Sequence, residues 1–235
     1  FGMLNKLHPR RGHLLLALLV QSALITLTQS AAFPDWTECP AVCRCKWTSG
    51  KKSAFCPDAG LTSLPISLDP EMQVLDLSGN KMTTLGSEIF RNHGLVNLQK
   101  VFLRNAGIHS IHQDAFKDMR ILVEVDLSDN HIKSLDTDTF NGNERLRILT
   151  LSGNPLRILK SHQFPVLGHL RNLELQRCEL TEIHGLAFSR LTGLDSLKLD
   201  GNELTHLEAR TLANLTALKT LTLDNNLWSC DCRLK

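Results

Sequence analysis

Seven stretches of the chain place apolar residues on one template, apolar-x-x-apolar-x-apolar-x-x-Asn-x-apolar. The first is Met72, Leu75, Leu77, Asn80, Met82, and the second Leu98, Val101, Leu103, Ala106, Ile108. The third is Leu122, Val125, Leu127, Asn130, Ile132, and the fourth Leu146, Leu149, Leu151, Asn154, Leu156. Leu170, Leu173, Leu175, Cys178, Leu180 and Leu194, Leu197, Leu199, Asn202, Leu204 follow. The seventh runs Leu218, Leu221, Leu223, Asn226, with Trp228 in the last place. The step between Asn-type positions is 26 residues once and then 24 five times. A Leu-rich helical bundle would instead repeat near 3.6 residues. The central x-Leu-x-Leu-x alternates with period two, which predicts a short strand with one buried face. A lone repeat cannot bury its Leu row, whereas stacked repeats bury it together. The expected fold is an α/β solenoid of about seven turns with a parallel sheet on its concave side.

A second row runs in the same register: Phe90, Phe116, Phe140, Phe164, Phe188, then Leu212. It predicts an apolar spine under the convex side. The Asn of each turn is expected to bond backbone groups that would otherwise be buried and unpaired. Cys178 fits the same place as a small residue with a weak S–H donor, which marks it as structural rather than reactive. The first interval is two residues longer than the rest, and Ala106 replaces the Asn. A local irregularity is therefore expected between residues 90 and 108.

Residues between the strand Leu positions point outward, and seven strands at ~4.8 Å give a face roughly 30 Å wide. Such a face suits a protein partner better than a small molecule, which needs a closed pocket. Phe102 is the one large aromatic on it. Phe102 with Arg104, Ile148 and Glu174 is the expected hot spot. Asp126, Gln176, Lys198 and Asp200 complete the candidate binding residues.

The chain starts differently. Lys6, Arg10 and Arg11 precede the apolar run Leu14–Val20, extended by Ala23, Leu24, Ile25 and Leu27, and the small residues Ser30, Ala31 and Ala32 follow. That pattern predicts a cleaved secretory signal over 1–32, with translation starting at Met3. The run is too short and too interrupted, at Gln21 and Ser22, for a membrane anchor. In an oxidising compartment the seven cysteines should pair or be buried. Four have the spacing C-x3-C-x-C-x10-C (Cys39, Cys43, Cys45, Cys56) and mark a cap over residues 33–66, ahead of repeats spanning 67–226. Cys43 and Cys45 stand too close for a relaxed bridge, which disfavours one of three pairings. The spacing lacks the paired C-x-x-C of a zinc site, so no metal is expected. Trp36, Trp47 and Phe55 are expected to fill the cap's core. Residues 227–235, with Cys230 and Cys232, read as the opening of a C-terminal cap, so the chain is expected to be the front part of a longer protein.

Caps and phased repeats together resemble extracellular leucine-rich-repeat proteins, whose architecture is a curved horseshoe, over about residues 36–235. A closer resemblance is to the insect Kekkon family. It is carried by Cys39–Lys52 (CPAVCRCKWTSGKK), Leu75–Asn80 (LDLSGN) and Asn97–Leu103 (NLQKVFL). The resemblance implies cap bridges Cys39–Cys45 and Cys43–Cys56. It further implies an immunoglobulin domain, one transmembrane helix and a tail beyond Lys235, and a role at the cell surface in modulating growth-factor signalling.

Composition adds mainly exclusions. With 26 basic and 24 acidic residues, the chain shows no basic excess for a nucleic-acid partner. The ten His form no H-E-x-x-H, and neither G-x-S-x-G nor a phosphate loop occurs. The chain is therefore read as a non-enzymatic binding module without cofactor, its partners being extracellular or cell-surface proteins, homophilic contacts included. A secreted matrix protein is the alternative. The single sequon, Asn214-Leu215-Thr216, is expected to carry a glycan on the convex return, away from the strands.

Overall fold

The computed structural model describes residues 39–229. The signal segment, Trp36 and the Cys230–Cys232 pair lie outside the described residues.

Alternating polar and apolar residues either side of Ser49-Gly50 form a hairpin, β1 (Arg44–Thr48) and β2 (Lys51–Phe55). Then come β3 (Val74–Asp76), β4 (Thr84–Leu85), β5 (Lys100–Phe102), β6 (Ser110–Ile111), β7 (Glu124–Asp126) and β8 (Ile148–Thr150). They are followed by β9 (Ile158–Leu159), β10 (Asn172–Glu174), β11 (Glu182–Ile183), β12 (Ser196–Lys198) and β13 (Thr220–Thr222). The main sheet has nine strands in the order β1-β2-β3-β5-β7-β8-β10-β12-β13. From β2 onward every pairing is parallel. The register is strict: Leu75, Val101, Val125, Leu149, Leu173 and Leu197 sit side by side, all fully buried. The solenoid of about seven turns is thus built as its periodicity requires, and β2 of the cap adds a strand that the repeats do not encode.

The back of the solenoid carries the Phe row. Phe90 stacks on Phe116 with ring centroids 5.4 Å apart, Phe116 on Phe140 at 5.2 Å, and Phe164 on Phe188 at 6.1 Å. These steps exceed the ~4.8 Å strand spacing. The longer back and shorter front put the sheet on the concave side.

The ladder Asn residues act on the backbone. Asn154 is fully buried; its Nδ2 donates to Leu127 O (2.9 Å) and Leu151 O (2.7 Å), and its Oδ1 accepts from Ile132 N (3.1 Å). One side chain thereby ties two consecutive turns. At Ala106 the missing amide is replaced by main chain: Met82 N donates to Ala106 O (2.8 Å). The two extra residues of that interval are absorbed on the convex return. Phe90 and Leu95 there frame a helical turn, Ile89–Asn92, whereas Phe116 and Met119 frame the shorter equivalent. The sheet register between β3 and β5 is undisturbed.

Two disulfides, Cys39–Cys45 and Cys43–Cys56, hold the cap. Its tight packing is made by Ser53, Ala54 and Cys56, all fully buried, while Trp47 and Phe55 are only half-buried and Lys46 stands 5.1 Å from the Phe55 ring centroid. The expectation that the aromatics would fill the cap's core is corrected accordingly. Strand β2 presses small side chains against the first repeat, and that contact leaves no room for rings.

Candidate functional site

Strands β5, β7, β8, β10 and β12 each bury the middle residue and leave the flanking two half-exposed, whereas β13 leaves Leu221 half-buried and Thr220 exposed. One exception is Val74, 7% exposed, beside the fully buried Ser53. The cap therefore covers the face at Val74, while Asp76 on the same strand stays half-exposed. The candidate residues Phe102, Asp126, Ile148, Glu174, Gln176, Lys198 and Asp200 are half-exposed, and Arg104 is exposed.

Five of the eight come together. Arg104, Asp126, Glu174, Gln176 and Asp200 line a shallow depression of about 500 Å³ along the C-terminal edge of the strands. Phe102, Ile148 and Lys198 lie outside its lining. Phe102 and Ile148 are not neighbours either. In register, Phe102 stands between Asp76 and Asp126, while Ile148 stands between Glu124 and Asn172. The expected apolar hot spot is thus split, because the two residues occupy different rows and strands two apart.

The face is held by ion pairs across strands. Lys100 pairs with Glu124 (2.6 Å), Lys198 with Glu174 (2.7 Å), and Arg104 Nε with Asp129 (2.9 Å). Arg177 reaches the same Asp129 at 3.9 Å. Ser152 Oγ donates to Gln176 Oε1 (2.7 Å). Asp76 and Asp126 each accept a turn amide, from Ser78 N and Ser128 N, yet neither has a cationic partner among the described residues. Asp200 and Asp224 likewise take part in no ion pair among the described residues. Asp200 Oδ1 is buried without a hydrogen-bond partner.

Asp129, Arg177 and Ser152 also line the depression and were not singled out from the sequence. A signal for two of them exists. The residue before each ladder position has positive φ in all seven repeats: Gly79, Asn105, Asp129, Gly153, Arg177, Gly201 and Asn225. Gly, Asn and Asp suit that region, whereas Arg is strained there. A Cβ on Gly153 would fall 2.4 Å from Asp129 Oδ1, and one on Gly201 would fall 3.1 Å from Arg177 Cγ. Each glycine thus leaves space for the charged side chain of the preceding turn. Charged residues alternating with glycine at this position announce side chains that lie over the next turn.

Cys178 is fully buried, with Sγ 3.4 Å from Leu151 O. Burial pushes its thiol up to about 11, so almost no thiolate exists near neutral pH. Iodoacetamide at pH 8 is expected to leave the Cys178 peptide unmodified in the native protein and to label it in denaturant. Native labelling on peptide mapping would refute the structural assignment. Among the described residues, no group of three or more His, Cys, Asp and Glu is placed to hold a metal ion.

Comparison with known proteins agrees with this geometry. The leucine rich repeat family models match residues 96–156 and 168–227, more than half of the chain, and a second such model matches 71–93. The chain belongs to the leucine-rich-repeat family. Within that family, human leucine-rich repeat-containing protein 3B is 35% identical over 118 residues, covering 50% of this chain and 43% of that protein. The chain therefore spans less than half the length of the curated relatives it matches. Toll-like receptor 2 of Cricetulus griseus is 38% identical over 82 residues, 32% of this chain and 10% of the receptor. Among solved structures, human 5T4 (Wnt-activated inhibitory factor 1, trophoblast glycoprotein) superposes with a TM-score of 0.58 at 27% identity, covering 83% of this chain and 84% of that one. The match to the TLR13–ssRNA13 complex has a TM-score of 0.62 at 29% identity over 66% of this chain and 22% of that one. The models that match are repeat families. No described helix is long and apolar enough to cross a membrane.

Proposed function

We propose that this leucine-rich-repeat chain is the non-enzymatic protein-binding part of an extracellular, cell-surface protein, and that the concave sheet is its binding face. The carrying observation is the open row of half-exposed polar and charged side chains along the strands, with no enclosed cleft among them. The two cap disulfides support an oxidising compartment, and the likeness to a trophoblast glycoprotein and to a Toll-like receptor supports a receptor-like setting. The face carries seven carboxylates (Asp76, Glu124, Asp126, Asp129, Glu174, Asp200, Asp224) against four cations (Lys100, Arg104, Arg177, Lys198). That excess repels a phosphate backbone and favours a protein over a nucleic acid. The finer reading is a Kekkon-like ectodomain that modulates growth-factor or receptor signalling, or adhesion, with the domains that resemblance implies.

A single substitution tests the face. Thr150 lies at its centre, and Thr150→Asn places a sequon, with Leu151 and Ser152, on strand β8. The secreted chain is expected to gain a glycan there, seen as a glycosidase-sensitive mass shift. It should then lose at least tenfold in affinity for any partner found on an array of recombinant cell-surface ectodomains. The native sequon Asn214, exposed on the convex return, is proposed to be glycosylated, and Asn214→Gln should remove that mass without weakening binding. Thr150→Arg serves where the new glycan is not added. Undiminished binding by a folded Thr150 variant would exclude the face.

A further inference from the structure

The concave face has two places where negative charge is left unanswered, and they differ in construction. At the first, Asp76, Phe102 and Asp126 are consecutive rungs of one row, on β3, β5 and β7. The ring stands half-exposed between two carboxylates, each ~4.8 Å away along the hydrogen-bonding direction. The cations on Phe102's own strand are engaged elsewhere: Lys100 holds Glu124 and Arg104 holds Asp129. Among the described residues the recorded cation–ring contact is Lys46 over Phe55, so no cation lies over Phe102. At the second place, Asp200 and Asp224 follow β12 and β13 on adjacent turns, joined through Gly201 N and Asp224 O (2.9 Å). Among the described residues neither makes an ion pair, and Asp200 Oδ1 is a buried acceptor without a donor. Between the two places the side chains satisfy one another through Lys198–Glu174 and Ser152–Gln176.

We infer that the face receives a basic, extended protein segment, one cationic side chain stacking on Phe102 between Asp76 and Asp126 and a second meeting Asp200 and Asp224. An aromatic ring flanked by carboxylates fits a guanidinium in particular. The ring face attracts the cation, the planar group stacks, and its N–H donors reach both acids. The spacing fixes the register of the visitor. Phe102 and Asp200 lie four strands apart, ~19 Å, and are offset by two residues, ~7 Å, along the strand direction, so the two places are ~20 Å apart. An extended segment crossing the strands brings residues i and i+6 to one side ~20 Å apart. Two arginines at that interval reach both places, and adjacent arginines do not. The self-satisfied middle of the face then needs only small or polar residues between them. This inference rests on the concave face being the binding face, and it adds the chemistry of the partner.

The test uses the secreted chain and fluorescein-labelled peptides of Gly, Ser and Thr carrying two Arg at i and i+6. Comparison peptides carry the Arg adjacent, or carry Glu at both places. The i,i+6 peptide should bind at least fivefold tighter than the adjacent-Arg peptide and weaken steeply between 50 and 500 mM salt, and the Glu peptide should not bind. Asp126→Asn keeps the Oδ1 that accepts Ser128 N and removes only the charge. Combined with Asp76→Asn, it should weaken binding at least tenfold, as should Phe102→Leu by about fivefold. Asp200→Asn should abolish the preference for i,i+6 spacing. Equal binding of the three peptides, or unchanged binding by the folded Asp variants, overturns the inference. The outcomes separate from those of the face itself. An array partner lost on Thr150→Asn but untouched by these neutral variants would retain the face and discard the basic segment.

Discussion

Asn130→Ala is expected to lower the stability of the repeat domain by about 3–5 kcal/mol, among the largest losses any single polar residue here should produce. Asn130 is 2% exposed. Its Nδ2 donates to Leu103 O (2.8 Å), Leu127 O (2.8 Å) and Ser128 O (3.1 Å), and its Oδ1 accepts from Ala106 N and Ile108 N, both at 3.0 Å. Alanine leaves several buried backbone groups of two turns without a partner. Each costs about 1–3 kcal/mol, and relaxation of the turn recovers part of the sum. The chain contains its own comparison. At Ala106 the preceding turn is served by the Ala106 carbonyl, which Met82 N reaches at 2.8 Å. At residue 130 the equivalent amide, Ile108 N, bonds the Asn130 side chain instead, so alanine removes its partner. The reverse change, Ala106→Asn, therefore competes with an existing main-chain bond and should recover far less than Asn130→Ala loses. Urea unfolding of both variants checks the asymmetry. Hydrogen exchange at Ala106 and Ile108 should accelerate in Asn130→Ala before the rest of the sheet. A loss below 1 kcal/mol would mean that water replaces the amide and that the ladder is not a main source of stability.

What was legible in the sequence has a common physical origin: it repeats. The buried strand Leu, the Asn ladder and the Phe row each meet the same neighbours every 24 residues, so periodicity alone places them. Departures from the repeat were legible as positions but not as structures. Ala106 could be marked, but the carbonyl that stands in for its amide could not. The back of the third and fourth turns shows the same limit. Short parallel pairs β4–β6 and β9–β11 line the back, with none recorded from the third turn. There Gln163 Nε2 donates to Leu135 O (2.9 Å) and its Oε1 accepts from Lys160 N (3.1 Å), a side chain standing in for a strand. Asn143 fills a row otherwise held by Met119, Leu167, Leu191 and Leu215, and donates to Phe116 O and Met119 O. On the face, alternation predicted which residues point outward. It did not predict that the cap closes over Val74, nor which charges cancel. Arg177 reaches over to Asp129 across Gly153, where a Cβ would fall on Asp129 Oδ1.

Phe116→Ala is expected to cost about 3–5 kcal/mol and to loosen the solenoid locally before it unfolds as a whole. Phe116 is fully buried and has a stacked neighbour on each side, Phe90 at 5.4 Å and Phe140 at 5.2 Å, with interplanar angles of 26° and 27°. Deleting the ring removes two interfaces of a structure in which each turn is stabilised chiefly by the turns beside it. Phe164 makes a comparison: its recorded stacked partner is Phe188 alone, at 6.1 Å. Phe164→Ala should therefore cost less than Phe116→Ala, although the two remove the same atoms. Leucine is tolerated in this row, as the sixth repeat carries Leu212 at the equivalent place. Phe116→Leu should accordingly cost only about 1–1.5 kcal/mol, since the volume lost is small and the site stays apolar. Because neighbouring turns can separate, one midpoint does not describe the Ala variant. Hydrogen exchange should show protection lost across β3, β5 and β7 while β10 and β12 remain protected. Equal losses for Ala and Leu, or a single cooperative transition in all variants, would show that the Phe row fills space without coupling the turns.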